Sequence, residues 1–430
     1  MSDNKIVNAT STEKSKIASA IDNVLHQILD IEDCAKNLIP IAKKQHLEKV
    51  EKVLSDLSEY EITLENSEDN EKRLIAQKCL RKAVRETERI TNSSPIKTLE
   101  KSLFINLFAT FDMYVGDLIE SVYNSNHILY KNISKEVPLS EILEYDSMDE
   151  LKKNILNAEI EILRRKSYIE QFKDMEKKFS IKLTKFESWP LFIELSQRRN
   201  LYTHCDGIVS KQYIDVCNSV GYKFKETPRI GTKLPIGNSY FFDACRIITE
   251  VAVMLGHTLW RKVLAHDKAK ADSHLSELVF NFLHMEHWMN AISIGSFALN
   301  LPEKSNDEME RIFTINYAIA LKSTGKEKAA KNILDKKDWS ATTYDFKLAY
   351  AVVTNNYKDA RHVMKKMGQE GELIIELSYH DWPLFKDFVN SEEFALGYRE
   401  VYGYEYVSKL SYIAVEEKNK VENLAKTTDE

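Results

Sequence analysis

Two arginines, an asparagine and a histidine crowd into "RRNLYTH", residues 198–204, at the end of the apolar stretch "WPLFIELSQ". Arginine is a planar, permanent cation whose fork of donors matches phosphate. Histidine is the side chain that can take or give a proton near neutral pH. Arg199 and His204 lie five residues apart, about 140° around an ideal helix, so they do not stack on one face. They can meet if the arginine reaches round as the backbone relaxes near Gly207, or if each meets its copy across a two-fold axis. His204 falls in the last helical turn, where the carbonyl end of the helix dipole favours imidazolium. Such a pair can cleave RNA without metal. One group takes the 2′-OH proton, the attacking oxygen displaces the 5′-oxygen, and arginine offsets the charge gathering on the phosphorus oxygens. Arg198 and Lys211 flank the pair as candidate RNA contacts. A solvated helix end accepts the same residues, so the rest of the chain must decide.

Other chemistries lack their signatures. There is no GxxxxGK[ST] loop, no GxGxxG, and no HExxH, DxDxDG or GxSxG, which removes the usual marks of nucleotide and serine-hydrolase chemistry. His284 and His287 in "FLHMEHW" have the spacing of helix neighbours but no two further ligands to complete a metal site. The five cysteines (Cys34, Cys79, Cys205, Cys217, Cys245) are scattered and never form CxxC, which fits buried thiols in a reducing cytoplasm rather than zinc. No metal and no cofactor is expected.

The chain is 430 residues long, beyond the usual single domain, so two or three are expected. Only 12 Gly and 8 Pro punctuate it, which points to long helices and an all-α fold. The start, "SDNKIVNATSTEKSK", has no apolar core for a secretory signal, and no apolar run looks long enough to cross a bilayer. Net charge is −6, yet residues 151–270 hold 22 Lys and Arg against 13 Asp and Glu, a net of +9 that leaves −15 elsewhere. A basic middle in an acidic chain fits a local site for an anionic partner.

The elements around the motif follow from periodicity. Ile17, Ile21, Val24, Ile28, Ile31, Ala35 and Leu38 make a 4-3-4-3 helical stripe. Pro40 should interrupt it, with a second helix through Leu47, Val50, Leu54 and Leu57 and a third through Leu74, Leu80 and Val84. "TNSSPIKTLEKSLF" marks a boundary. "KSLFINLFATFDMYVGDLIESVY", which carries Asp112 and Asp117, is a strongly apolar helix, and residues 147–179 form one or two amphipathic ones. Gly207 is the stop of the motif helix. "YKFKETPRIGTKLPIGNSYFF" predicts a small β-prone insert near residues 219–240, either a hairpin or irregular. "YFFDACRIITEVAVMLGHTLWRKVL" returns to buried helix. Beyond residue 272, "NYAIALKSTGKEKAAKNIL" and "LAYAVVTNNYKDARHVM" share a helix–turn–helix layout. Tyr317 and Tyr350 lie 33 residues apart, close to a TPR-like period.

"RRNLYTHCDGIV" at the end of an apolar helix resembles the signature of the HEPN family: Arg, a polar residue, three more, then His. With the helices at "FINLFATFDMYVGDLIESVY" and "YFFDACRIITEVAVML", the resemblance covers roughly residues 100–265. It implies a helical-bundle core in residues 96–268, and periodicity and composition place a helical arm in 1–95, a helical-repeat region in 272–415 and a frayed tail in 416–430 around it. Family members are typically dimers, and many are metal-independent endoribonucleases of toxin, abortive-infection and antiphage systems. On this resemblance Arg199 binds the phosphate, Asn200 orients it and His204 is catalytic. Asp117 is the candidate for the helix acid that some members carry. The implied partners are RNA and a second copy of the chain, with a protein partner or trigger at the repeats and no membrane. HEPN-like bundles also serve as silent scaffolds for protein partners, and that is the alternative expectation.

Overall fold

The computed structural model describes residues 15–133 and 136–407, so the expected tail lies outside the described residues. Helix α1 (Lys16–Asn66) runs unbroken for 51 residues and passes through Pro40, where an interruption was expected. A proline removes one backbone donor, and the helix on either side is long enough to hold through that loss. Six of the seven residues of the predicted first stripe, from Ile17 to Ala35, are buried. The seventh, Leu38, is exposed, and Ile39 takes its place.

After Asn66 the chain turns through Asp69, whose side chain caps α2 (Asn70–Thr91) by accepting from the amides of Glu71 and Lys72. The α1–α2 contact is made by small side chains: Val53, Ala76 and Ala83 are buried, while Leu47, Leu54, Leu74 and Val84 are exposed. The helical period was legible here, but the buried face was not.

Helix α3 (Pro95–Ser125) forms the middle of a four-helix core. A short turn α4 (Leu139–Ile142) leads to the amphipathic pair α5 (Met148–Arg164) and α6 (Tyr168–Phe179). The motif helix α7 (Trp189–His204), a small α8 (Lys211–Ser219) and the long α9 (Asn238–Val263) follow. The first half of α1 packs along α3 and α9, and α7 packs on both of these. The residues of the arm therefore do not stand apart from the core, as a division after residue 95 implied. Phe104, Phe108, Phe111, Phe172 and Phe192 fill the interior and are almost wholly inaccessible. The core of α3 explains why residues 70–125 contain a stretch apolar enough for a membrane span: more than half of that window is buried inside the fold.

The β-prone insert forms no strand. Among the described residues the only bridge pairs Ile208 with Lys233, flanked by bonds from Val209 N–H to the Thr232 carbonyl and from Leu234 N–H to the Gly207 carbonyl. Irregular structure, not a hairpin, is the outcome.

The chain divides into two compact units after Leu275, inside helix α10 (Lys268–His284). The second unit contains α11 (Trp288–Leu299), α12 (Asp307–Ser323), α13 (Glu327–Leu334), α14 (Tyr344–Val353), α15 (Tyr357–Met367), the short α16 (Ser378–Asp381) and α17 (Glu392–Tyr402). Its two predicted helix pairs are present as α12–α13 and α14–α15, with α12 packed on α14. Ala330 and Ala360 are buried near the starts of the second helices of the two pairs.

One polar chain is buried in the first unit. His257 Nε2 lies 3.1 Å from Nδ1 of His274, whose Nε2 lies 3.0 Å from Asp22 Oδ1. Burial, then the neighbouring His274 and Arg261, hold His257 well below the usual histidine range. Unfolded, the same ring titrates near about 6.5. The unfolded chain therefore binds a proton that the folded chain refuses, and stability falls as pH drops through that value. The midpoint of thermal unfolding should decline from pH 7 to pH 5, and His257→Gln should flatten the decline. An equal slope in the variant would show that His257 is not its source.

Candidate functional site

The motif helix begins at Trp189 with Pro190 in its first turn and ends at His204. Its stop is built as expected of Gly207. Asp206 and Gly207 both take positive φ, 48° and 79°, and the Gly207 amide donates to the Leu201 carbonyl at 3.0 Å. A side chain at Gly207 would strike the Tyr202 ring, since an added Cβ would come within 2.8 Å of it. The Tyr202 hydroxyl in turn donates to the Leu234 carbonyl. Leu201, Val209, Tyr213 and Cys217 make a small core of their own here, with Tyr222, Phe224 and Leu234 packed against it. The insert is thus a brace for the end of the motif helix.

Arg199 points toward α3. Its guanidinium lies 3.6 Å from Asp112, with side-chain exposures of 25% and 34%, so both groups remain reachable from solvent. The guanidinium also lies over the rings of Phe108 at 5.4 Å and Tyr168 at 5.9 Å. Its Nε is buried and has no hydrogen-bond partner among the described residues. The Tyr168 hydroxyl donates to Asp112 Oδ1 at 2.5 Å. Burial raises the Asp112 carboxyl above its ordinary range, against the opposing pull of Tyr168 and Arg199. A second cation stands close by: Arg164 donates to the carbonyls of Asp112 and Met113 at 3.1 and 3.2 Å. Gly116 leaves the space that its guanidinium occupies.

Asp117, the acid expected from the sequence, is exposed and has no ion pair or hydrogen bond among the described residues. Burial of its carboxyl raises it above the ordinary range, with Arg164 opposing. Asp112, one turn earlier, occupies the place beside Arg199. Five residues separate the two acids on one helix, and nothing in the sequence chooses between them. The choice is made by Tyr168 on α6, which Ser167 and Glu170 cap as a reciprocal box.

His204 is exposed on the last turn of α7 and has no hydrogen bond or ion pair among the described residues. Asn200 is half-buried, and its side chain likewise makes no hydrogen bond among them. Lys211 is exposed at the start of α8, after the Ser210 cap. Arg198 differs from these: it is committed to the interior. Its Nε donates to Glu194 Oε1 at 2.9 Å, its Nη1 to the Pro235 carbonyl at 3.3 Å, and its guanidinium stacks 3.9 Å from the Tyr240 ring. Burial opposes its charge, but Tyr240, Glu194 and Tyr213 outweigh it and raise the pKa above the ordinary value. Arg198, expected as an RNA contact, thus spends Nε, Nη1 and Nη2 on structural partners, the last at 3.5 Å from the Tyr213 hydroxyl.

Of the cysteines, Cys217 and Cys245 are buried as expected, but Cys34 and Cys205 are exposed and all five are free thiols. Burial pushes the Cys217 thiol up to about 12. Among the described residues no three His, Cys, Asp or Glu side chains gather as a metal site would require. In comparisons of the chain with protein-family models, curated proteins and solved structures, nothing matches.

Proposed function

We propose that the protein is a metal-independent endoribonuclease of the HEPN type, acting as an effector in defence or stress. The observation that supports this reading most is the pairing of a solvent-reachable Arg199, braced by Asp112 and by the aromatic faces of Phe108 and Tyr168, with an unencumbered His204 on the same helix. A phosphate oxygen can take the guanidinium from Asp112, because a charge-assisted contact to a dianion-like transition state is stronger than one to a carboxylate. The imidazole is free to move a proton to or from the ribose hydroxyl or the leaving oxygen.

Cleavage by this route leaves 2′,3′-cyclic phosphate ends and survives EDTA. We expect both when purified protein is incubated with total RNA and the product ends are mapped. Loss of cleavage on chelation, restored by Mg²⁺ or Mn²⁺, would assign the reaction to a metal instead.

A second reading has one observation behind it. The Arg199–Asp112 ion pair also suits a silent scaffold, in which arginine simply ties α7 to α3. Inducing the wild type and His204→Ala in cells and comparing total RNA separates the two. Intact RNA and equal growth in both strains would favour the scaffold.

A further inference from the structure

Beside the end of the motif helix lies a cavity of about 620 Å³, formed where the first turns of α3 meet Tyr202, Asp206 and the Lys233–Ile236 segment. Its charges do not balance. Asp206 is taken by Lys233 at 2.5 Å, and Glu100 by Lys43 at 3.8 Å. Lys97 and Lys101, which also line it, have no ion pair among the described residues. These two lysines are four residues apart on one face of α3, a spacing at which like charges repel. An anion held between them removes that repulsion.

The backbone points the same way. Helix α3 has no acidic residue in its first turn, and Ser94 at its cap makes no side-chain hydrogen bond to the helix. The first turn thus supplies no anion or side-chain cap of its own, and the carboxylate that faces Lys97 and Lys101 is Asp206, already bonded to Lys233. Ser94 adds a hydroxyl to the wall, while that of Thr98 donates to the Ser94 carbonyl at 3.1 Å. The size is within the range of small-molecule and nucleotide sites. Tyr202 and Asp206, which line it, bracket His204 in sequence at the end of the motif helix.

We propose that this cavity is a phosphate subsite for bound RNA, receiving a phosphodiester next to the one on which Arg199 and His204 act. The assignment rests on the ribonuclease reading for the neighbouring reaction, but its own evidence is the unpaired lysine pair and the cavity. Lys97 and Lys101 lie outside the basic segment 151–270, so charge composition could not have revealed them.

The test uses the full chain carrying His204→Ala, so that RNA stays intact, and a labelled single-stranded 12-mer followed by fluorescence anisotropy across a salt series. Adding Lys97→Ala and Lys101→Ala is expected to raise Kd about 10-fold and to flatten the slope of log K against log salt by about 1.4, from two lost contacts of about 0.7 each. Lys97→Arg with Lys101→Arg should restore both. Unchanged affinity and slope would overturn the subsite. So would calorimetry showing inorganic phosphate or AMP bound by the wild type and lost in the double alanine variant while RNA binding stays the same. Cleavage by the wild type is scored separately. Cleavage with lysine-independent binding removes the subsite alone, and intact RNA with lysine-dependent binding removes the catalytic reading alone.

Discussion

RNA cleavage is expected to fall by about two to four orders of magnitude when His204 becomes alanine, the usual span for a lost general acid or base. The folded chain should hardly notice, because His204 is exposed and free of partners among the described residues. The thermal midpoint of the variant therefore serves as the control, and a loss of cleavage accompanied by unfolding would not count. Arg199→Ala should be similarly inactive. The two variants also test the expected dimer. One helix offers a single Arg199 and a single His204 set about 140° apart, and in-line transfer wants a base, an acid and a cation around one phosphate. In the proposed dimer, two copies facing across a two-fold axis would supply them. Mixed heterodimers of Arg199→Ala and His204→Ala subunits should then recover part of the activity that either homodimer lacks. Full activity from a monomer at working concentration would end the dimer reading.

Glu194→Ala is expected to be the most damaging single change in the site's framework. This carboxylate is 2% exposed and accepts from Arg198 at 2.9 Å, from the Tyr213 hydroxyl at 2.6 Å and from the Tyr240 hydroxyl at 2.9 Å. Deleting it strands a buried guanidinium and two buried hydroxyls at once. Removing one partner of a buried ion pair typically costs about 3–5 kcal/mol. Calorimetry should show the unfolding midpoint displaced by roughly 6–20 °C, taking about 2–4 °C per kcal/mol for a unit of this size. Glu194→Gln keeps the shape and two lone pairs and should cost less. A loss below about 1 kcal/mol for the alanine variant would mean that water reaches Arg198 and replaces its partner. Because Arg198 also holds the Pro235 carbonyl, the variant should loosen the insert against the motif helix first.

The helices of the core were legible because burial there imposes a period on large apolar side chains. Ile17 to Ala35, the phenylalanines of α3 and the run from Phe241 to Trp260 all announce themselves this way. The α1–α2 pair was read on the wrong face, since helices that meet through Val53, Ala76 and Ala83 leave their larger residues at the flanks. Within the motif, Arg199 and His204 are singled out by type and spacing, and Asn200 by the resemblance alone. What could not be read was which arginine faces inward: Arg198 has Glu194 one turn before it on the same helix, but only the tertiary positions of Tyr213 and Tyr240 bury that pair in the interior. Asp112 was hidden for the same reason, because its partners Tyr168 and Arg199 are 56 and 87 residues away in sequence.

The uninterrupted α1 behaves as a beam clamped at one end. Its clamped part, up to Ile39, is wedged against α3 and α9, while beyond Pro40 only Val53 is buried. At about 1.5 Å per residue the span from Pro40 to Asn66, backed by α2 alone for most of its length, is roughly 40 Å long. Pro40 sits at the mouth of the clamp, where the missing backbone bond makes the softest section. A load at the tip produces its greatest bending moment at that notch. The arm is a hairpin, though: α2 packs along that span and runs directly into α3, and Lys43 of α1 pairs with Glu100 of α3 at 3.8 Å. A pull on the far end of the arm therefore travels along α2 to the first turn of α3, on the same helix as Asp112.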